Sequence, residues 1–567
     1  MNQRHFAFWP ARRPKEFPIP VTSVAHNLAT SAARFPDHHA IVYYDTPIAY
    51  RRLWREVEQL AGYLEHRAQV KRGDRVLLYM QNSPAFVVAY YAILRANAVV
   101  VPVNPMLVAE ELQTYLDDSG ATVAITGQEL LPRIAGYAPN PLRTVIVAAY
   151  ADYIERETKL NLPPAVAAPR APVDGDGLVA WGDALAQSEP PGPVTTGGDD
   201  MALLPYTSGT TGRPKGCVHT HRSLQTTIFA TPMWGGSNNP GNRVLSVLPY
   251  FHVTGMTGDM NGSLCNGSTI VMMTRWDPET ALTLIERYQC TSLTAISTMV
   301  VDLLSHPAYR TDALRSLVGI GGGGAPLPAA VGAELSGRLG MNYMEGYGLT
   351  ETIAMTHANP PDRTKLQCLG IPTFGVDSRV IDPDSLRELG PNETGEIITH
   401  GSQVMREYWR QPEATAEAFI ELDGKRFFRT GDLGYVDDEG YFFLVDRVKR
   451  MINASGFKVW PAEVETKLFS HPAIKEACVI AAIDPRKGEQ VKAVVVLRDG
   501  AQTTGADIIA WAREHMAAYK VPTEIEFVAS LPRSATGKVQ WRALQEEEQR
   551  RQTTSATGAG AGTASGR

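Results

Sequence analysis

Residues 206 to 216 read Tyr-Thr-Ser-Gly-Thr-Thr-Gly-Arg-Pro-Lys-Gly. Five hydroxyl-bearing side chains (Tyr206, Thr207, Ser208, Thr210, Thr211) and three glycines (Gly209, Gly212, Gly216) surround Lys215, with no apolar periodicity. Such a loop can wrap a polyphosphate. Glycines let the backbone approach closely, hydroxyls and N–H groups donate, and the lysine supplies positive charge. The string departs from the nucleotide-binding pattern G-x-x-x-x-G-K-S/T, because Gly216 stands where a Ser or Thr would hold magnesium. Phosphate chemistry of another kind is therefore expected.

The flanking sequence predicts the elements that must position this loop. Arg75 to Tyr79 reads as a strand, Ser83 to Ala96 as a helix with Ser83 as its N-cap, and Val99 to Val103 as the next strand. Ala121 to Ile125 repeats the theme. This βαβ rhythm implies an α/β fold with parallel sheets covered by helices. Pro163 to Pro172 and Glu189 to Gly198 are rich in Pro, Ala and Gly and read as surface connections. Near residue 446 the texture changes. Tyr441 to Val445 is a strand, a charged segment follows, and beyond it lies a unit sized for a small α+β domain. It holds a helix around Ala462 to Phe469, strands at Ala477 to Ala482 and Val491 to Leu497, and a helix near Ala506 to Ala517. The expected organisation is a large domain of stacked α/β subdomains over residues 1–445 and a small mobile domain over 450–550. A tail without structure is expected over 551–567, mostly Ala, Gly, Ser and Thr.

At 567 residues the chain is too long for one core, and its 44% apolar and 20% charged content is that of a soluble globular protein. A net charge of −6 gives no electrostatic reason to expect nucleic acid. Cys217, Cys265, Cys290, Cys368 and Cys478 are scattered and odd in number, without CxxC spacing. That pattern argues against a disulfide framework or a zinc site and fits a reducing, cytoplasmic compartment. Met1 to Pro20 lacks the apolar run of a signal peptide. The most apolar stretch, Ala85 to Val103, contains Arg95 and Asn97 and reads as a helix and a buried strand, not a membrane span. Peripheral contact with a membrane surface stays open.

Further strings follow the loop in order: Gly321-Gly-Gly-Gly-Ala-Pro326, Tyr343-Met-Glu-Gly-Tyr-Gly-Leu-Thr-Glu351, Arg429-Thr-Gly-Asp432, the segment Asp446 to Glu465, and Pro532-Arg-Ser-Ala-Thr-Gly-Lys538. Together with the loop they resemble the adenylate-forming superfamily of acyl-CoA synthetases, beetle luciferases and peptide-synthetase adenylation domains. The resemblance runs from about Leu28 to Arg542. It implies an enzyme that joins a carboxylate to ATP, releasing pyrophosphate, and then exchanges AMP for a thiol, usually coenzyme A. The carboxylate is already ionised near neutral pH, its ordinary pKa being about 4, so the first step needs no general base. The demand is for charge neutralisation and geometry as one anion approaches a polyanion.

The resemblance assigns roles that meet that demand. Lys215 with Thr207, Ser208, Gly209, Thr210, Thr211 and Gly212 would cradle the β- and γ-phosphates. Thr350 and Glu351 match the site for phosphate and magnesium, with Glu351 as metal ligand, since a carboxylate beside triphosphate needs a cation between them. Tyr347 and Gly348 match the segment whose tyrosine ring lies against adenine, with Gly323, Gly324 and Ala325 as the opposite wall. Asp432 would accept both ribose hydroxyls, and Arg447 would lie near ribose and phosphates. Lys538 would bridge the carboxylate and the α-phosphate. Residues 446–449 match a hinge, with Lys449 at its pivot. Rotation there would withdraw Lys538 and bring Gly456 to border a pantetheine tunnel. Arg486 and Lys487 are candidates for the 3′-phosphate of coenzyme A.

The stretch Leu248-Pro-Tyr-Phe-His252 begins the family's acyl pocket, with His252 as a catalytic candidate. No aspartate stands near His252 to meet a substrate ammonium, which disfavours an α-amino acid. Gly348, the glycines 321–324, and Gly255, Gly258 and Gly262 suggest room. Glu345, an amide in luciferases and many aryl-acid ligases, is similar to bacterial fatty acyl-CoA synthetases. The expected substrate is a medium- or long-chain fatty acid. The alternatives are an aryl-CoA ligase and a ligase that loads a separate carrier protein.

Overall fold

A computed structural model of the chain describes residues 4–135, 141–186, 189–207, 214–236, 239–324, 327–447, 450–454, 457–484, 488–533 and 539–559. They fall into two compact units. The first comprises Met1–Ser378, Thr399–Arg429 and Asp438–Phe442, and the second Arg379–Ile398, Thr430–Asp437 and Phe443–Arg567.

The first unit contains two large sheets. In one, Arg75–Tyr79 lies between Val99–Pro102 and Val123–Gly127, all parallel. The sheet continues through Thr144–Ala148 to Leu178–Ala180 on one side and through Met201–Leu203 to His219–Thr220 on the other. The strands are rich in Val and Ile because both their faces are covered. Helix Pro84–Arg95 starts as its sequence predicts. The Ser83 hydroxyl accepts the Phe86 N–H at 3.2 Å, and Pro84 occupies the first turn. Every residue from Pro84 to Leu94 is buried, so a helix apolar all round sits inside the unit. No helix among the described residues is long and apolar enough to cross a membrane.

The second sheet runs Ile371–Pro372, Ala354–Ala358, Tyr343–Leu349, Gly319–Gly323, Ser292–Thr294, Arg243–Ser246, Thr269–Met272, His39–Tyr43, Thr46–Ala49. Its inner strands are parallel and its ends antiparallel. Gly322 pairs with Glu345 and Gly323 with Gly346. A Cβ on Gly322 would lie 2.1 Å from the Ala295 carbonyl oxygen, and one on Gly323 2.3 Å from that of Gly346. The glycine run therefore reflects close backbone approach inside the sheet. It does not mark space for an acyl chain, which corrects that reading.

The second unit holds a sheet of Phe457–Val459, Ile452–Ala454, Gly488–Leu497, Ile474–Asp484 and Glu524–Phe527. The period of two is plain. Val479, Val491, Ala493 and Val495 belong to one apolar cluster with Val464 and Leu468 of helix Pro461–Leu468. Cys478, Ile480, Val494 and Val496 belong to another, against Trp541 and Leu544. Helix Trp541–Ala559 carries the chain into the stretch expected to lack structure. Good helix formers before residue 551 start the helix, and the pairing of Arg551 with Glu547 one turn back favours its continuation.

Candidate active site

The loop at 206–216 is a hairpin at its base, with Thr207 opposite Lys215 and Tyr206 opposite Gly216. Ser208, Gly209, Thr210, Thr211 and Gly212 lie outside the described residues. The base is anchored from the first sheet's neighbourhood. The Tyr206 hydroxyl donates to Asp118 Oδ2 at 2.6 Å, and the Trp409 indole N–H donates to the Asp118 carbonyl at 3.0 Å. A Cβ on Gly216 would meet Leu204 Cδ1 at 2.8 Å and the Tyr206 ring at 3.2 Å. A side chain at Gly216 would therefore have to displace those of Leu204 and Tyr206.

The lysine's leg is sewn to the segment 405–409. The Trp409 N–H donates to the Gly216 carbonyl at 2.8 Å, Val218 N–H to Glu407 O at 2.9 Å, and Arg406 N–H to Val218 O at 2.9 Å. The same segment reaches the expected metal ligand, because Met405 N–H donates to the Glu351 carbonyl at 2.7 Å. The Lys215 ammonium lies 4.9 Å from the centroid of the Tyr408 ring, and the Tyr408 hydroxyl donates to Glu351 Oε1 at 2.9 Å. Burial first, and then the Glu351 charge, push the Tyr408 phenol above its ordinary pKa, so it remains a donor. Lys215 and Glu351, 136 positions apart in the numbering, thus meet the same side chain.

Thr350 and Glu351 sit in the single turn Thr350–Thr352, which follows the strand Tyr343–Leu349. His219 fixes this turn. Its Nε2 lies 2.8 Å from the Thr350 carbonyl, which can only accept, so Nε2 carries the proton. Burial lowers the His219 pKa to about 4, against the Thr350 bond that raises it, so the ring is neutral at pH 7. Past Glu351 the backbone turns sharply, with φ of 44° at Ile353 and 76° at Ala354. Such values are costly for residues with a Cβ, most of all for a β-branched one. The Thr352 hydroxyl braces the turn, accepting the Leu349 N–H at 2.9 Å and donating to Ala354 O at 2.9 Å.

Tyr347 is half-buried and stands opposite the fully buried His357 in the antiparallel pair, their rings 5.5 Å apart. Burial lowers the His357 pKa to about 3, so this ring too is neutral. Gly323 closes the neighbouring strand and Gly324 has φ of 89°, a glycine conformation. Ala325 lies outside the described residues. A Cβ on Gly348 would lie 1.5 Å from the Ala354 carbonyl oxygen. Gly348 is therefore demanded by its own hairpin, so its being glycine is not by itself evidence of a pocket left open. Gly255 is similar, with the Leu248 carbonyl oxygen 2.5 Å from where its Cβ would be. At Gly258 the nearest atom is at an ordinary contact distance, 3.6 Å.

Glu345 also differs from its sequence reading. It is buried, and its carboxylate accepts backbone N–H groups: Leu327 on Oε1 at 2.8 Å and Cys368 on Oε2 at 2.9 Å. Burial raises its pKa and those bonds oppose the rise. The side chain clamps two segments beside the strands Gly319–Gly323 and Tyr343–Leu349. His252 is half-buried, and its Nδ1 accepts the Thr254 N–H at 3.3 Å.

Within the second unit, Asp432 is buried just after Gly431, whose φ is 68°. Its N–H donates to Thr430 Oγ1 at 3.1 Å. Arg447 Nε lies 2.9 Å from Asp432 Oδ1. This pair brings together the two residues expected at the ribose. Lys449, Gly456, Arg486, Lys487 and Lys538 lie outside the described residues.

Tyr408, His219 and the clamping role of Glu345 are the functional features that the sequence reading missed. The signal for Tyr408 was weak: one of two adjacent aromatic residues in Arg-Glu-Tyr-Trp, outside every glycine-rich string.

Comparison with known proteins agrees with this geometry. A family model described as AMP-binding enzyme matches residues 28–409, and one described as AMP-binding enzyme C-terminal domain matches residues 463–538. The chain is 34% identical over 551 residues to a long-chain-fatty-acid–CoA ligase of Bacillus subtilis (strain 168), covering 96% of this chain and 97% of that one. It is also 34% identical over 543 residues to a feruloyl-CoA synthase of an Amycolatopsis species, covering 95% and 98%. A crystal structure of ATP-bound MatB from Rhodopseudomonas palustris superposes with a TM-score of 0.81 at 30% identity, covering 92% of this chain and 98% of that one.

Proposed function

From the premise that the chain belongs to the AMP-binding enzyme family and is an adenylate-forming acyl-CoA ligase, we propose that its acid is a medium- or long-chain fatty acid. The acid would be activated as acyl-AMP with release of pyrophosphate and then passed to coenzyme A. The observation that carries the phosphate chemistry is the convergence of Lys215 and Glu351 on Tyr408. The choice of acid is supported by the long-chain-fatty-acid–CoA ligase relative. The sequence also supports it, since no aspartate stands beside His252 to pair with a substrate ammonium. Asp259, the acidic residue that follows His252 most closely, is buried and accepts from Ser246 Oγ at 3.3 Å. Glu345, engaged with backbone N–H groups, no longer counts for or against a fatty acid.

In this reading the ionised acid attacks the α-phosphorus of ATP, the bond to the bridging oxygen breaks, and pyrophosphate leaves. Lys215 neutralises the departing β- and γ-phosphates, while Lys538 holds the carboxylate against the α-phosphate. Glu351 suits Mg2+, a hard cation that binds one or two carboxylates together with substrate phosphates. When bound, the ion would supply charge neutralisation at the phosphates. Asp432 would accept the ribose hydroxyls once Arg447 turns from it to the phosphate. The thiolate of coenzyme A would then attack the acyl carbon and release AMP.

The test is carboxylate-dependent exchange between ATP and pyrophosphate across fatty acids of graded length, hydroxycinnamates and benzoates. The expected result is highest exchange with medium- or long-chain fatty acids, followed by thioester formation with coenzyme A. Preference for hydroxycinnamates would establish the aryl-CoA ligase instead. Transfer only to a carrier protein would establish the loading ligase, and no exchange with any acid would reject the reading. Lys538→Ala should abolish acyl-adenylate formation and spare thioester formation from pre-made adenylate. Equal loss of both half-reactions would refute the role given to Lys538.

A further inference from the structure

The Tyr408 side chain touches both charges assigned to the phosphate end of the site, and by different parts of itself. Its ring face carries the Lys215 ammonium at 4.9 Å, and its hydroxyl holds Glu351 Oε1 at 2.9 Å. The side chain is 9% exposed and lies in one apolar cluster with Cys217, Met405 and Phe428. Its backbone neighbours are fixed on both sides. Trp409 N–H bonds Gly216 O, next to the lysine, and Met405 N–H bonds the Glu351 carbonyl. A packed phenol on a segment tied to both partners has little freedom, so it sets where the cation and the carboxylate stand relative to each other.

We propose that Tyr408 is a positioning residue for adenylation: its ring presents Lys215 to the β- and γ-phosphates, and its hydroxyl orients Glu351 toward the Mg2+ that accompanies them. This rests on the roles given to Lys215 and Glu351 under the proposed function. The two contacts are chemically separable. Phenylalanine keeps the ring face and removes the donor, whereas leucine removes both.

The experiment is equilibrium binding of ATP to the full chain by calorimetry, titrated at a series of Mg2+ concentrations, with thermal unfolding followed in parallel. For Tyr408→Phe, the Mg2+ concentration giving half-maximal ATP binding should rise on the order of tenfold, the scale of a hydrogen bond to a charged group. Its affinity at saturating Mg2+ should stay within about twofold, because the contact between cation and ring survives. For Tyr408→Leu, affinity at saturating Mg2+ should itself fall roughly fivefold, the scale of a partly desolvated cation–π contact. In a Glu351→Gln background, Tyr408→Phe should add nothing to the Mg2+ requirement, because the partner it orients is gone. An unchanged Mg2+ midpoint in Tyr408→Phe overturns the proposal. So does an equal effect of Tyr408→Phe with and without Glu351, which is what loosened packing would give. Binding needs no acid, so the test stands apart from substrate identity. A shifted midpoint with no exchange on any acid would reject the proposed function and keep this inference. Exchange in the wild type with no shift in Tyr408→Phe would do the reverse. A wild-type chain that binds no ATP would overturn both.

Discussion

Asp259 offers a sharp test of the energetics beside the stretch expected to begin the acyl pocket. It lies in the π-helical segment Gly255–Gly262 and is 2% exposed. Ser246 Oγ donates to it at 3.3 Å and is itself 2.8 Å from the Tyr250 hydroxyl. Burial pushes its pKa from 3.8 up to about 7, and the bonds from Thr294 and Ser246 only partly oppose that rise. The sign follows from proton counting. Between about pH 4 and 7 the unfolded chain has released a proton that the folded chain keeps, so stability falls as pH rises. Below that window the contribution is fully present, and above it the dependence is flat. At about 1.4 kcal/mol for each tenfold change, the whole window is worth about 4 kcal/mol. Asp259→Asn cannot titrate, and all other groups cancel in the difference between variant and wild type. Its stability relative to wild type should therefore improve by ~3 kcal/mol between about pH 5 and 8, most of it below pH 7. The assay is urea unfolding of the full chain at four pH values, followed by tryptophan fluorescence. A difference that stays constant across the range, or one in which the wild type gains with pH, would refute the assignment of a buried, proton-holding carboxyl.

Two further outcomes are expected. Glu345→Gln puts an amide N–H₂ against the N–H of Leu327 or Cys368, so unfolding stability should drop by about 2–4 kcal/mol. The KM for ATP should rise while the KM for the acid stays in place; a switch of preferred acid from fatty to aromatic would show that this position reads the substrate after all. Lys492, 3% exposed, meets Glu524 at 2.7 Å, Glu526 at 3.0 Å and Glu548 at 2.7 Å. Lys492→Met should destabilise the second unit by about 3–5 kcal/mol near neutral pH, and less as the carboxylates protonate toward pH 4, which hydrogen exchange along Gly488–Leu497 and Trp541–Ala559 would read.

Much of the fold was legible where one local rule dominated. The strand Arg75–Tyr79 and the helix behind Ser83 match their sequence readings because an apolar run and a capped Pro start leave no competing conformation. The strand read at Ala121 to Ile125 lies at Val123–Gly127, because its register is set by the parallel neighbour Arg75–Tyr79, not by its own first apolar residue. The strand read at Ala477 to Ala482 extends to Ile474–Asp484 because its long antiparallel partner continues the pairing past the apolar stretch. The helix at Trp541–Ala559 was hidden by composition. Small residues from 553 onward suggest a floppy tail, but the good helix formers just before them start a helix against a sheet face, and it runs on into the Thr- and Ser-containing stretch.

The site was legible as a set of strings and illegible as a set of contacts. Motifs mark residues that chemistry constrains along a few consecutive positions, such as Lys215 behind its hairpin or Glu351 behind its strand. They carry no record of what meets them across the fold. Tyr408 reaches Glu351 over 57 positions and His219 reaches Thr350 over 131, and neither belongs to a string that looks like a ligand site. Glycine misled for the same reason. A glycine says that something approaches the backbone and not what approaches. At 322, 323 and 348 the visitor is a carbonyl oxygen of the protein's own strands, at 2.1, 2.3 and 1.5 Å from the would-be Cβ. A bulky residue at 348 in a relative would thus require a different turn after that strand, as well as a shorter pocket. Chain-length preference must then be argued from how this hairpin turns, through the positive φ of Ile353 and Ala354, and not from a count of small residues.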